Sequence, residues 1–369
     1  MLPFEKQVPM SQHRRVIVLT MYAMDRVDWG PTVRAHNIRR ALAELAEVDF
    51  ICGERPGRRQ AIRQYLKSDK AKDAAGLYVE TSTSWCTIED LRLMAACRRA
   101  GVPVITWIMD AYPLFPETMA GIPFYKRLAS SLLWRLSMRG YFRTSDAIAV
   151  QTESFGRLFN RPRRLRQIVL QPAANPIQVP PISAQADVLL YTGNASQARF
   201  GVELLVEAAE IVRSELPGMR LLLVCPHSGP PPKALYAHRP WIELMSLTTD
   251  EIVDLLPQVR VVANPLRDAP YHRLQIPTKI MDYLGYGRPI LATDLPEISR
   301  IIRDTGAGLV APATAQGLAE GIRRLFSADL DELNRMGQNA LRAVREKHSW
   351  GHRAQQILDT FEEIRRREA

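Results

Sequence analysis

Lys279 and Asp282 stand three residues apart in QIPTKIMDYLGYGRPILATDLPE, from Gln275 to Glu297, where residue type and spacing suggest chemistry most directly. Pro277 suits the first turn of a helix and Gly287-Arg288-Pro289 suits its stop, so Thr278 to Tyr286 reads as a short helix. Lys279 and Asp282 would share one face of it. The free amides of its first turn, at Thr278, carry partial positive charge and Lys279 adds a full one, which attracts a diphosphate. Asp282, one turn further in, can accept hydrogen bonds from vicinal hydroxyls such as those of a ribose. The plainer reading pairs it with Lys279 on an exposed helix surface. Gly285 leaves room for another backbone or a ring to approach. Asp294, three before Glu297 with Pro296 between, reads as the N-cap of the next helix, a structural signal.

These groups need a scaffold, and the sequence spells one. Short β-branched runs alternate with helical segments: VIVLT, VDFIC, GLYVE, VPVITWIM and AIAVQT, with Ile38, Ala41, Leu42 and Leu45 at helical spacing between the first two. QPAANPIQVPPISAQAD then breaks the pattern with four prolines. It restarts with DVLLYTG, a helix from Val202 to Glu215, RLLLVC, a helix near Thr249 to Leu256, VRVVANP, the opening stretch and GLVAP. Strands separated by helices imply parallel sheet with helices on its faces. The expected fold class is α/β, with a first domain over 1–175, a second over 183–350, and a last helix over 351–369 crossing back to the first. Ligands of open parallel sheets sit beyond the carboxyl ends of the strands, here in a cleft between the halves.

Composition narrows the partners. The 369 residues are 46% hydrophobic and 24% charged, as in an ordinary globular chain. Four scattered cysteines form no CxxC pair, which argues against structural zinc and a disulfide framework. The first apolar run is short, soon meets Asp25 and Arg26, and lacks a cleavage site, so no secretory leader is expected. No segment approaches the ~20 apolar residues of a membrane span. The expected location is the cytoplasm, with attachment to the inner membrane face as a variant. Net charge is +10, and Phe124 to Gln167 holds ten Lys/Arg against Asp146 and Glu153. Within it, 124–143 mixes Lys126, Arg127, Arg135 and Arg139 with Phe124, Leu128, Leu132, Trp134 and Leu136. Such a helix can lie on an anionic membrane surface, grip nucleic-acid phosphates, or pack on a core with a solvated basic face. No recognised nucleic-acid motif accompanies it, and nucleic acid is not an expected partner.

PTKIMDYLGYGRPILATDLPE, followed by GAGLVAP and a closing HSW before the last helix, resembles the carboxyl half of glycosyltransferase family 4, the retaining glycosyl transferases group 1. YTGNASQARFGVELLVEAAEIV is similar to that family's first carboxyl-domain strand, glycine loop and helix, and GPTVRA and DAIAVQTES resemble elements of its amino half. The resemblance implies a GT-B fold, two Rossmann-like domains facing across a cleft. It also implies transfer of a sugar from a nucleoside-diphosphate donor, UDP or GDP, to a hydroxyl of a glycan or lipid-linked acceptor in polysaccharide or glycolipid synthesis. Donor-binding residues carried over are Asp282 at the ribose, Gly193, Gly30 in the turn after the first strand, Thr278, and Tyr271, His272 and Arg273 before the helix. Asp110 in WIMDAYP is expected to face the sugar, and Lys279 with Arg199 to stabilise the departing diphosphate with no metal or cofactor. For Gly30 and Asp110, a plain turn glycine and a turn aspartate are the competing readings.

Two departures matter. Many members of that family carry an acid eight positions before the ribose acid, where this chain has Leu274. The loop after Gly193 keeps only Arg199 of the family's usual basic pair, leaving Lys279, Arg273 or Arg267 to supply the rest. A nucleotide-sugar epimerase, a non-catalytic relative of the same fold and, more distantly, a basic nucleic-acid-binding protein are the alternatives.

Overall fold

The computed structural model describes residues 15–25, 30–68, 70–82 and 85–368. Of the amino-terminal stretch read above for a leader, residues 1–14 and 26 lie outside them, and its apolar run forms the first strand. The amino-terminal half runs β1 (Arg15–Thr20), α1 (Gly30–Ala43), β2 (Glu47–Ile51), α2 (Arg55–Lys67), β3 (Ala74–Glu80), α3 (Ile88–Arg99), β4 (Val104–Trp107), α4 (Phe124–Thr144), β5 (Ala147–Val150), α5 (Glu153–Gly156) and β6 (Arg166–Val169). The carboxyl-terminal half continues β7 (Val188–Thr192), α6 (Val202–Ile211), β8 (Arg220–Val224), β9 (Ile242–Met245), α7 (Thr249–Leu255), β10 (Val259–Asn264), α8 (Thr278–Gly285), β11 (Ile290–Thr293), α9 (Pro296–Thr305), β12 (Gly308–Ala311), α10 (Ala315–Ser327) and α11 (Leu330–Ala343). The last helix is α12 (Trp350–Glu368).

Each half holds one six-stranded sheet, in the orders β2-β1-β3-β4-β5-β6 and β12-β11-β10-β7-β8-β9, with every pairing parallel. Parallel strands are covered on both faces, which is why β3, β4, β5 and β7 are buried along their whole length. Strand order reverses between β1 and β3 in the first sheet and between β7 and β10 in the second. Crevices open at such reversals, beyond the carboxyl ends of the strands.

Buried apolar clusters line both faces of both sheets. One face of the amino-terminal sheet is closed by α12, whose Trp350, Ala354, Ile357, Phe361 and Ile364 pack among Val16, Val18, Tyr78 and Ile105. Phe361 lies flat where a Cβ on Gly76 would stand, so β3 needs a glycine there. Arg365 donates to the Ala74 carbonyl at 2.6 Å and Gln356 to Val169 at 2.8 Å. The prolines of the linker exclude regular structure, and the linker is held instead by the carboxyl half. Ile177 N–H donates to the Gly285 carbonyl at 2.9 Å, and a Cβ on Gly285 would stand 2.6 Å from the Asn175 carbonyl oxygen. Gly285 thus admits the linker backbone.

Two local expectations are corrected. The N-cap of α9 is Leu295, without a side-chain cap bond, because Asp294 is turned to Ser299 Oγ at 2.6 Å and to Arg303. Trp134 faces the core of the amino half with Met138 and Tyr141, so it does not belong to the outer face of α4.

Candidate active site

The carboxyl-terminal wall of the cleft grows from the reversal between β7 and β10. Gly193, just past β7, has φ +112°, a left-handed value that favours glycine, and a Cβ there would stand 3.0 Å from Lys279 Nζ. Lys279 reaches back from the first turn of α8 to this loop. Its Nζ donates to Tyr191 Oη at 2.9 Å and lies 4.1 Å from that ring's centre, while Tyr191 Oη donates to the Asn194 carbonyl at 2.6 Å. Gly201, φ +70°, admits the Pro265 carbonyl where a side chain would collide, locking this loop against the one after β10. Tyr283, on the buried face of α8, accepts from Thr192 N–H at 2.9 Å and donates to the Ala263 carbonyl at 3.2 Å. The helix is thereby bonded to both strands of the reversal.

Asp282 is half-buried, and no hydrogen bond or ion pair to its carboxylate is found among the described residues, so the plainer pairing with Lys279 is not formed. Burial drives both groups toward their neutral forms. Lys279 is lowered to about 7 by desolvation, opposed by the Cys225 thiol and Asp282. Asp282 is raised to about 7 by desolvation, opposed by Lys279.

The amino-terminal wall faces this one. Gly30 is the first residue of α1 rather than part of a turn, and its Cβ direction points 4.0 Å from Thr278 Oγ1, so the amino ends of α1 and α8 meet across the cleft. Asp110, after β4, is half-buried. Burial pushes its carboxyl above the usual range, while the Tyr271 hydroxyl and the Arg34 and Arg199 guanidiniums hold it down. Arg199 spans the cleft with its guanidinium carbon 5.5 Å from the Tyr112 ring centre and 5.0 Å from that of Phe200, and its Nε is buried with no hydrogen-bond partner among the described residues. Lys279, Thr278, Gly193, Gly30, Asp110 and Arg199 are thus brought together.

Other expected residues go elsewhere. Tyr271 does not line an open pocket but is buried in the amino-terminal core, 5.0 Å from the Tyr112 ring and 5.1 Å from that of Phe115. His272 is buried beneath the same loop with Nδ1 2.7 Å from the Arg267 carbonyl, and burial lowers its pKa. Arg273 is exposed and forked onto Asp268 at 2.6 and 2.5 Å, which neutralises it. Arg267 is spent on the Ala198 carbonyl at 2.9 Å. Leu274 packs on the amino-terminal core, and its carbonyl accepts from Thr152 Oγ1 at 2.6 Å.

Sequence reasoning missed Tyr191 and a buried pair at the carboxyl end of the amino-terminal sheet, Arg34 with Glu80, at 3.6 Å. Arg34 also lies 5.1 Å over the Trp107 ring, and both partners keep buried polar atoms without hydrogen bonds among the described residues. The signal was legible in GLYVE, where a carboxylate closes an apolar strand at the end that faces the cleft. Among the described residues no group of three or more His, Cys, Asp or Glu is gathered to hold a metal ion. A cavity of about 440 Å³ lies away from these groups, behind the cleft between Thr152, Gln171, Arg300, Arg342 and His348.

Two facing parallel-sheet domains of these strand orders, with the polar groups on the walls between, define the GT-B fold. Solved structures share it along nearly the whole chain. Sucrose-phosphate synthase from Thermosynechococcus elongatus superposes with a TM-score of 0.66 at 14% identity, covering 96% of this chain and 99% of that one. A glycosyltransferase from Rickettsia africae gives 0.62 at 13%, covering 96% and 98%. WaaG, described as a glycosyltransferase involved in lipopolysaccharide biosynthesis, gives 0.63 at 14%, covering 94% and 99%. Within the fold, residues 186–328 match the family described as glycosyl transferases group 1. No curated protein matches the chain in sequence.

Proposed function

We propose that this protein transfers a sugar from a nucleoside-diphosphate donor, with UDP or GDP as the carrier, to a hydroxyl of a glycan or lipid-linked acceptor, with retention at the anomeric carbon. The observation that carries the reading is the meeting of Lys279, Arg199 and the amino ends of α1 and α8 in one cleft beside a carboxylate, Asp282, that has no hydrogen-bond or ion-pair partner among the described residues. The family match over 186–328 and the fold agree with it.

In this reading the diphosphate lies against the amides of α8 and the Lys279 ammonium, with Arg199 closing from the side. As the bond between sugar and diphosphate breaks, negative charge grows on the leaving oxygens, and fixed cations and amides stabilise it without having to reorganise. Asp282 accepts hydrogen bonds from the ribose diol. Asp110, on the opposite wall, orients sugar or acceptor hydroxyls. Gly193 and Gly30 allow the phosphates to come close to backbone. The test is conversion of a panel of nucleotide sugars to free nucleoside diphosphate by wild type, Lys279→Ala and Asp282→Ala. Loss of turnover in both variants supports the reading, and full activity in either sinks the roles assigned here. Leu274, packed away where relatives carry an acid, favours a second reading of donor binding without transfer, which tight nucleotide binding with no turnover of any donor would establish.

The acceptor side draws on α4. Phe124, Leu128, Leu132 and Leu136 repeat every fourth residue along its outer face and are 77%, 61%, 58% and 50% exposed. Lys126, Arg127, Arg135 and Arg139 lie along the same helix. An apolar stripe between cations fits the interface of an anionic bilayer, where a lipid-linked acceptor would be met. Among the described residues no helix is long and apolar enough to cross a membrane.

A further inference from the structure

Tyr271 belongs to the carboxyl-terminal half by sequence and to the amino-terminal core by position. The loop after β10 carries it between Tyr112 and Phe115, where it is 1% exposed. Its N–H approaches Glu117 Oε1 at 3.3 Å and its hydroxyl donates to Asp110 Oδ1 at 2.9 Å. The same loop is fastened to the amino half by Thr152 Oγ1 on the Leu274 carbonyl at 2.6 Å and by Ile276 N–H on Gln151 Oε1 at 3.0 Å. It then enters α8, where Lys279 and Asp282 stand. One continuous segment therefore touches Asp110 on one wall and supplies the binding groups of the other.

We propose that Tyr271 is a positioning residue, supplied by one half of the molecule, that fixes the Asp110 carboxylate of the other half in its orientation toward the cleft. The inference rests on the assignment of Asp110 to the reacting sugar or acceptor made above. Asp110 is faced by Tyr22, Arg34, Tyr112, Arg199 and Tyr271. Of these, Tyr271 and Tyr112 both hydrogen-bond to the carboxylate; Tyr271 reaches Oδ1 at 2.9 Å, comes from the other half of the molecule, and has its ring locked by aromatic packing. A hydroxyl held rigidly on one carboxylate oxygen lowers the carboxyl pKa and fixes the orientation that the group presents to a substrate hydroxyl. Tyr271→Phe keeps the ring and its packing and removes this bond alone.

The experiment follows the Asp110 side-chain carboxyl by 13C NMR titration in wild type and Tyr271→Phe, with melting temperature as a check on folding. The midpoint rises by about one unit in the variant, the shift expected when a neutral donor to a carboxylate is lost. An unchanged midpoint overturns the proposal. The second readout is donor turnover with water as acceptor, across the nucleotide-sugar panel, in Tyr271→Phe, Asp110→Asn and the double variant. Tyr271→Phe should lower kcat about tenfold with donor KM unchanged, and should cost nothing further in the Asp110→Asn background. Equal losses in both backgrounds would assign Tyr271 a role independent of Asp110 and reject the inference. If wild type turns over no donor, the transferase reading falls, while the titration still decides what Tyr271 does.

Discussion

Carrying the pH through neutrality should take donor affinity through a maximum, because burial has set two opposed titrations in one site. Lys279, ordinarily near 10.5, is lowered to about 7 by desolvation, and a diphosphate needs its ammonium. Asp282, ordinarily near 3.8, is raised to about 7 by desolvation, and a ribose diol needs its carboxylate. At about pH 8 only about a tenth of Lys279 is charged in the empty site, so binding must draw a proton from solution; since each group is already half in its other form at the neutral maximum, affinity falls from there about threefold, ~0.7 kcal/mol. At about pH 6 the same factor applies through Asp282, which must release one. Calorimetric titration with a nucleotide sugar reads this cleanly, since both of its phosphates are esterified and do not titrate nearby. Lys279→Met should remove the alkaline limb and lower the maximum about 100-fold, the scale of a charge at ~4 Å in a half-buried site. Asp282→Asn should remove the acid limb.

The same shifts act on the empty protein with signs that can be worked out. The unfolded chain binds more protons at Lys279 between about 7 and 10.5, so that group's contribution to stability rises with pH across the interval. The folded chain binds more at Asp282 between 3.8 and about 7, so its contribution falls there. Both penalties are nearly complete at neutrality. Lys279→Met should therefore raise the unliganded melting temperature by about 2–4 °C while it weakens binding. A flat affinity profile in wild type, or a Lys279→Met protein that melts lower yet binds donor normally, would refute this reasoning.

Gly193→Ala should lower stability by about 1–3 kcal/mol, since φ +112° strains any side chain, and should also displace Lys279; melting and nucleotide titration read the two effects separately. Leu128→Glu with Leu132→Glu should reduce sedimentation with vesicles containing anionic lipid at least about tenfold while nucleotide binding is untouched. Arg34→Met should cost about 3–5 kcal/mol in denaturant unfolding by leaving Glu80 buried and uncompensated, and adding Glu80→Gln should recover much of it. Reciprocal losses that simply add would show that the two side chains do not interact.

Much of the scaffold was legible because parallel strands announce themselves as apolar runs. VIVLT, GLYVE, AIAVQT and VRVVANP all became strands within wholly parallel sheets. The two strands that were missed, β6 as RQIV and β9 as IELM, are the edge strands next to β5 and β8, short and carrying charge on a partly solvated side. α8 was read correctly from Pro277 at its start and Gly287 after its end, since both signals are local. What local sequence does not carry is contact at long range. Tyr271 reads as a donor-pocket residue beside a histidine and an arginine, and only the fold brings it to Asp110 across the chain. Arg273 reads as a free cation until Asp268 folds back onto it within one loop. Asp294 has the spacing of a cap, yet Ser299 and Arg303, one and two turns along α9, compete for it and win.

The central claim is a nucleoside-diphosphate site built on the first turns of α8. Its most direct test is the melting temperature of wild type and of the Lys279→Ala, Asp282→Ala double variant with UDP, GDP, ADP and TDP. At about 100 times its dissociation constant a ligand of the folded state adds ~2.7 kcal/mol, a shift easily seen. A rise with one of these nucleotides that is lost in the double variant is the predicted result. No rise with any of them, or a rise that survives both substitutions, would contradict the account.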